Sequence, residues 1–78
     1  MEVRNVYYEI IIGGFGIEYN AKLVAGEAVN HGIETEILEN RGYFYVCAGR
    51  FSDKNRASEM LKAVQNAGYV FSYMKITD

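Results

Sequence analysis

The chain has 78 residues, half of them apolar, which allows one domain with one compact core. Eight Lys and Arg against ten Asp and Glu leave a net charge of −2, a poor balance for a general binder of polyanions. One cysteine and one histidine exclude an intrachain disulfide, a cage of several thiolates and every two-histidine metal motif, so the composition points to a binding module more than to an enzyme, with no cofactor and no metal.

In chain order, Glu2 and Arg4 open the sequence without an apolar signal region. Val6 to Ile12 is aromatic and β-branched and reads as a strand, which Gly13 and Gly14 then break. From Ile17 to Asn30, Ala21, Val24, Ala25 and Ala28 recur at helical spacing, and Gly32 stands where a helix end favours a left-handed residue. Ile33 to Leu38 alternates as a half-buried strand, and Glu39 to Gly42 is a turn. Tyr43 to Ala48 is the third strand. Ser52 is a natural helix N-cap, with Asp53 at the positive end of the helix dipole. Ala57, Met60, Leu61 and Val64 line one helical face, Gly68 ends that helix, and Tyr69 to Ile76 is the last strand. No run approaches the ~20 apolar residues that cross a bilayer, so no membrane insertion by this segment is expected.

A shift of about 36 residues superimposes the two halves. Tyr7 falls on Tyr43, Gly13 on Gly49, Phe15 on Phe51, Ala21 on Ala57, Asn30 on Asn66 and Gly32 on Gly68. Two copies are too few for a solenoid, so residues 1–78 are expected to form one domain of two pseudo-repeats, about 7–40 and 43–76. The order βαββαβ with right-handed crossovers puts both helices on one face of a four-stranded antiparallel sheet. The expected fold is α+β, a ferredoxin-like plait.

Alternation then assigns the strand faces. Tyr8, Ile10 and Ile12, with Phe44, Val46 and Ala48, are the more uniformly apolar sets and belong under the helices. Phe15 and Phe51 plug the corners between strand and helix. The open face is expected to carry Tyr7, Glu9, Ile11, Tyr43, Tyr45 and Cys47, flanked from the outer strands by Leu38, Val70, Ser72 and Met74. A face so rich in aromatics marks an interaction site.

These residues match a family pattern. The second half, Phe44-Tyr45-Val46-Cys47-Ala48-Gly49-Arg50-Phe51-Ser52-Asp53-Lys54 followed by Ala57, Leu61, Gly68 and Tyr69, resembles the sporulation-related repeat, or SPOR domain. The first half keeps Gly13, Phe15, Ala21 and Gly32 but lacks the Ser-Asp cap. The resemblance implies a non-catalytic module that binds peptidoglycan glycan strands, favouring strands stripped of stem peptides. Such modules are appended to cell-wall amidases and other division or sporulation proteins. It also implies a place at the bacterial cell wall, on the periplasmic or extracellular side, with a phage-encoded lysis protein as an alternative parent. The family's sugar site is the open sheet face. Its Gln, Ser, aromatic and polar positions fall here on Ile11, Gly14, Tyr43 and Tyr45, so two polar family residues are missing and tyrosine stacking would take over part of their role.

Two other readings stay open at this point. Arg41-Gly42-Tyr43-Phe44-Tyr45-Val46-Cys47-Ala48 approaches the RNA-recognition signature, departing at Phe44 and Ala48. The net charge and the acids Glu9, Glu34 and Glu36 disfavour nucleic acid. The open face could also pair with a second copy as a homodimer. Catalysis finds less support. His31 suits a helix C-terminus, Cys47 has no basic neighbour in sequence, and Gly13-Gly14-Phe15-Gly16 lacks the residues of a phosphate loop.

Overall fold

A computed structural model describes residues 5–77; Glu2 and Arg4 lie outside the described residues. The elements are β1 (Tyr7–Phe15), α1 (Glu18–Asn30), β2 (Glu36–Asn40), β3 (Tyr43–Phe51), α2 (Lys54–Asn66) and β4 (Tyr73–Thr77). They form one antiparallel sheet in the order β2-β3-β1-β4, with β1 and β3 at its centre. This is the plait expected from the sequence.

The core lies between the sheet and the helices. Ile10, Ile12, Val46 and Ala48 from the central strands meet Ala21, Ala28, Ala57 and Val64 from the helices, with Ile33 closing one end. Four of these nine residues are alanines, which let the helices lie close to the sheet. Tyr8, Phe15, Phe44, Phe51, Met60 and Leu61 pack around this centre.

Both long strands run further than alternation indicated. β1 continues through Gly13 and Gly14, and β3 through Gly49 and Arg50. The reason is a pair of register shifts. Glu9 faces Arg50, Ile11 faces Cys47 and Gly13 faces Val46, so first β3 and then β1 holds an extra residue. Each bulge changes the parity of its strand. That is how Ile12 and Phe15, an odd number of residues apart, both reach the helix side. Gly49 takes φ +123°, and a Cβ there would lie 2.9 Å from the Phe51 ring. A Cβ on Gly13 would lie 3.3 Å from the Phe15 ring. In each half the ring of the Gly-x-Phe unit folds back over its own glycine.

The helix ends match as well. Ile33 N–H donates to the Ala28 carbonyl and Gly32 N–H to that of Val29. Tyr69 N–H donates to Val64 and Gly68 N–H to Gln65. Both are Schellman motifs, with a glycine one residue past the cap. The starts differ. Asp53, not Ser52, caps α2: its Oδ1 accepts from Asn55 N–H at 2.8 Å. Ile17 occupies the same place before α1 and has no side-chain acceptor.

The outer strands depart from the expected boundaries. β2 begins at Glu36 rather than Ile33, because Ile33 is committed to the helix end and the core. β4 begins at Tyr73 rather than Tyr69. Ser72 N–H and Ser72 Oγ both donate to the Tyr69 carbonyl, at 3.1 and 2.6 Å, and this turn delays the strand. A two-residue hairpin turn, Arg41-Gly42 with both φ positive, joins β2 to β3.

Candidate binding face

The sheet face away from the helices is built from all four strands. Cross-strand partners share a face, so the pairs Glu9 and Arg50, Ile11 and Cys47, Gly14 and Tyr45, Leu38 and Tyr45, and Asn40 and Tyr43 place these side chains together. From β4, Tyr73 pairs with Ile11, Lys75 with Glu9 and Thr77 with Tyr7. Tyr7, Glu9, Ile11, Gly14, Tyr43, Tyr45 and Cys47 therefore lie on one face.

Met74 does not. It pairs with Ile10 and packs against the core, so it belongs to the helix side. Val70 and Ser72 lie in the connection before β4 and are not strand residues. The late start of β4 moves the whole strand's contribution to Tyr73, Lys75 and Thr77. The alternation Tyr73-Met74-Lys75-Ile76-Thr77 carries that signal, but only once the strand is known to begin at Tyr73. Glu36 pairs with Cys47 on the open face, whereas Glu34 lies before β2, beside His31 at the helix end.

The centre of this face is closed to water. Ile11 is 2% exposed and Cys47 3%, although neither belongs to the core beneath the helices. Glu9 is 4% exposed and ionically paired: Arg50 Nη2 donates to its Oε2 at 3.2 Å, and Thr77 Oγ1 to its Oε1 at 2.8 Å. A carboxylate buried this far needs both partners, since losing one would leave an uncompensated charge. Arg50 lies in turn 5.5 Å over the Tyr7 ring, a cation–π contact. Glu9, Arg50, Tyr7 and Thr77 thus form a locked polar end.

The other end is aromatic and open. A cleft of about 320 Å³ lies across the sheet, with Ile11 in its floor and Leu38, Asn40, Tyr45, Tyr73, Lys75 and Glu9 around it. Tyr45 is folded down onto β1: a Cβ on Gly14 would lie 2.7 Å from its ring. Tyr43 is 53% exposed beyond it, with ring centroids 6.3 Å apart and planes tilted by 43°. Burial, and then the nearby Tyr45, push the Tyr73 phenol up, so Tyr73 stays a neutral donor at physiological pH. A larger hollow of about 560 Å³ opens on the helix side, among Ile33, Ala48, Gly49, Ala63 and Ala67. The Phe51 ring and the His31 imidazole also line it.

The chemistry available on the open face is stacking and hydrogen bonding. Burial pushes the Cys47 thiol up, with Glu9 and Glu36 adding to the effect, and its Sγ–H donates to the Gly49 carbonyl. A protonated, buried thiol is not a nucleophile. Among the described residues no group of three or more His, Cys, Asp or Glu is placed to hold a metal, and no helix is long and apolar enough to cross a membrane.

One solved structure superimposes on the whole chain. It is the solution structure of the peptidoglycan-binding domain of the B. subtilis cell wall lytic enzyme CwlC. The TM-score is 0.85 at 26% identity, covering 100% of this chain and 98% of that one. The chain has the SPOR-type fold. No family model matches its sequence, and no curated protein does. In this SPOR-type fold the Gly-x-Phe units are the bulged corners described above. Ile11 lies in the apolar floor of the cleft, and Gly14 is the seat of the Tyr45 ring.

Proposed function

We propose that this chain is a non-catalytic module, one SPOR-type domain spanning residues 1–78, that binds peptidoglycan glycan strands. It would hold a cell-wall hydrolase, or a division or sporulation protein, at the wall, on its periplasmic or extracellular side. The observation that carries this reading is the end-to-end match to a peptidoglycan-binding domain of a lytic enzyme. The open face supports it. Saccharide rings present flat C–H faces that stack on aromatic side chains and hydroxyls that hydrogen-bond at the edges. Tyr45 and Tyr73 supply the rings, Ile11 and Leu38 an apolar lining, and Asn40 and Lys75 polar groups at the margin. At about 320 Å³ the cleft lies at the small end of ligand sites, of a size for one sugar unit at a time. The wider strand would run over Tyr43 and Tyr7.

The test is sedimentation with purified cell-wall sacculi, before and after amidase digestion. The protein is expected in the pellet, more so after digestion. Protein that stays in the supernatant in both cases, while single-stranded RNA shifts its amide resonances, would replace this reading with nucleic-acid binding. Arg50, the arginine of the open face, is engaged by Glu9 and Tyr7, which speaks against a phosphate backbone as the ligand.

A further inference from the structure

We infer that the outer face of α1 is a self-association surface, on which a second copy of this chain packs its own α1 in parallel.

The core takes one side of α1, through Ala21, Val24, Ala25 and Ala28. Helical periodicity turns Tyr19, Leu23, Gly26 and Asn30 to the opposite side, and all four are exposed. The second half of the chain supplies an internal control. At the equivalent places, 36 residues on, α2 exposes Asn55, Glu59, Lys62 and Asn66. The outer helix face is polar in the second half, whereas in α1 Tyr19 is 66% and Leu23 55% exposed. Gly26 departs from the second half as well. Glycine in the middle of a helix weakens it. A Cβ at Gly26 would meet no atom within 4 Å, so packing inside the domain gives no reason for the glycine.

The spacing points to the occupant. Steps of four, three and four residues are those of a heptad seam, with Leu23 and Asn30 at a and Tyr19 and Gly26 at d. A single asparagine at an a position suits two parallel helices, where it meets its own counterpart. A glycine at d lets the two backbones approach. The flanks agree with this pairing. Lys22 takes a g position and Glu27 the following e position, so in a parallel pair each Lys22 faces the partner's Glu27. Tyr69 donates to Glu27 at 3.1 Å and holds that carboxylate beside the seam. Since α1 packs on the side of the sheet away from the open face, such a pair leaves both open faces free and turned outward. The seam is short, at 13 residues of helix. It falls below the roughly 1,200 Å² of a stable interface, so the dimer is weak and depends on concentration.

Sedimentation equilibrium of the unmodified domain tests this. Half-dimerisation is expected on the order of 100 µM. Tyr19→Asn and Leu23→Glu give α1 the residues that α2 carries at the same places, so both variants should melt close to the parent. Each should weaken the dimer about tenfold or more. Lys22→Glu sets like charges across the seam and should weaken it about three- to tenfold. Lys22→Glu combined with Glu27→Lys should restore it. An unmodified domain still monomeric on the order of 1 mM would overturn the inference. So would a Leu23→Glu variant that dimerises as before, or a charge swap that does not recover. Loss of the dimer in Tyr43→Ala, on the open face, with Leu23→Glu unaffected, would overturn it in favour of sheet-to-sheet pairing.

Discussion

The corner after β1 and the corner after β3 stand 36 residues apart and are built alike, but they serve different ends. Gly13 and Phe15 correspond to Gly49 and Phe51, and in each the phenylalanine ring lies over its glycine. The residue between them points to the open face, and there the halves diverge. In the first corner it is Gly14, which leaves room for the Tyr45 ring. In the second it is Arg50, which reaches Glu9 and Tyr7. The cap positions diverge too, Ile17 against Asp53. What the two halves share makes the plait, and what they do not share makes one end of the face an aromatic cleft and the other a locked ion pair.

The shared part should fail equally in both halves. Phe15→Ala and Phe51→Ala should each cost about 3 kcal/mol, a large share of what so small a domain holds. Thermal melts followed by circular dichroism should show both variants largely unfolded; one melting near the parent would mean that the corners are not equivalent. The glycines sharpen the comparison. Gly49→Ala meets both an unfavourable φ of +123° and a 2.9 Å contact, and should cost about 2 kcal/mol. Gly13→Ala meets only a 3.3 Å contact and should cost less than about 1 kcal/mol. Urea midpoints would rank them, and the reverse order would contradict the bulge geometry.

The caps give a smaller, signed effect. Asp53→Ala should lose about 1 kcal/mol, and Ile17→Asp, at an exposed site with the extended backbone of an N-cap, should gain about half as much. Equal and opposite changes in melting temperature are not expected; opposite signs are. Gly14→Ala acts on a half-buried ring that can swing away from the sheet. It should push the Tyr45 ring off β1 at a cost below about 1 kcal/mol, yet lower glycan affinity several-fold, because one wall of the cleft moves. Unchanged affinity with a displaced Tyr45 ring, seen by ring-proton shifts, would detach that wall from the site.

Much of this is legible in the sequence, and the exceptions have physical causes. The central strands carry enough apolar alternation to assign Ile10 and Val46 to the core and Tyr45 to the open face from residue order alone. The doubled Gly-x-Phe unit marks the corners. Alternation cannot by itself place Ile12 and Phe15 on one side, since that takes a bulge, whose position depends on the register between β1 and β3. The same limit misassigns Met74. The Ser72 turn onto Tyr69 sets where β4 begins, and a shift of parity there exchanges Met74 for Tyr73 and Lys75. Glu9 is visible as an acid among tyrosines. Its burial is not, because it depends on Arg50 and Thr77, 41 and 68 residues away in sequence.

The most direct test of the central claim is an amide chemical-shift titration of the 15N-labelled domain with amidase-stripped glycan strands. The account predicts shifts concentrated at Ile11, Tyr45, Tyr73 and Lys75, with weaker ones at Tyr43 and Tyr7 and none along the outward side of α1. Shifts centred instead on His31, Ile33, Gly49 and Ala63, around the hollow on the helix side, would show that the glycan binds there and that the aromatic face has another role.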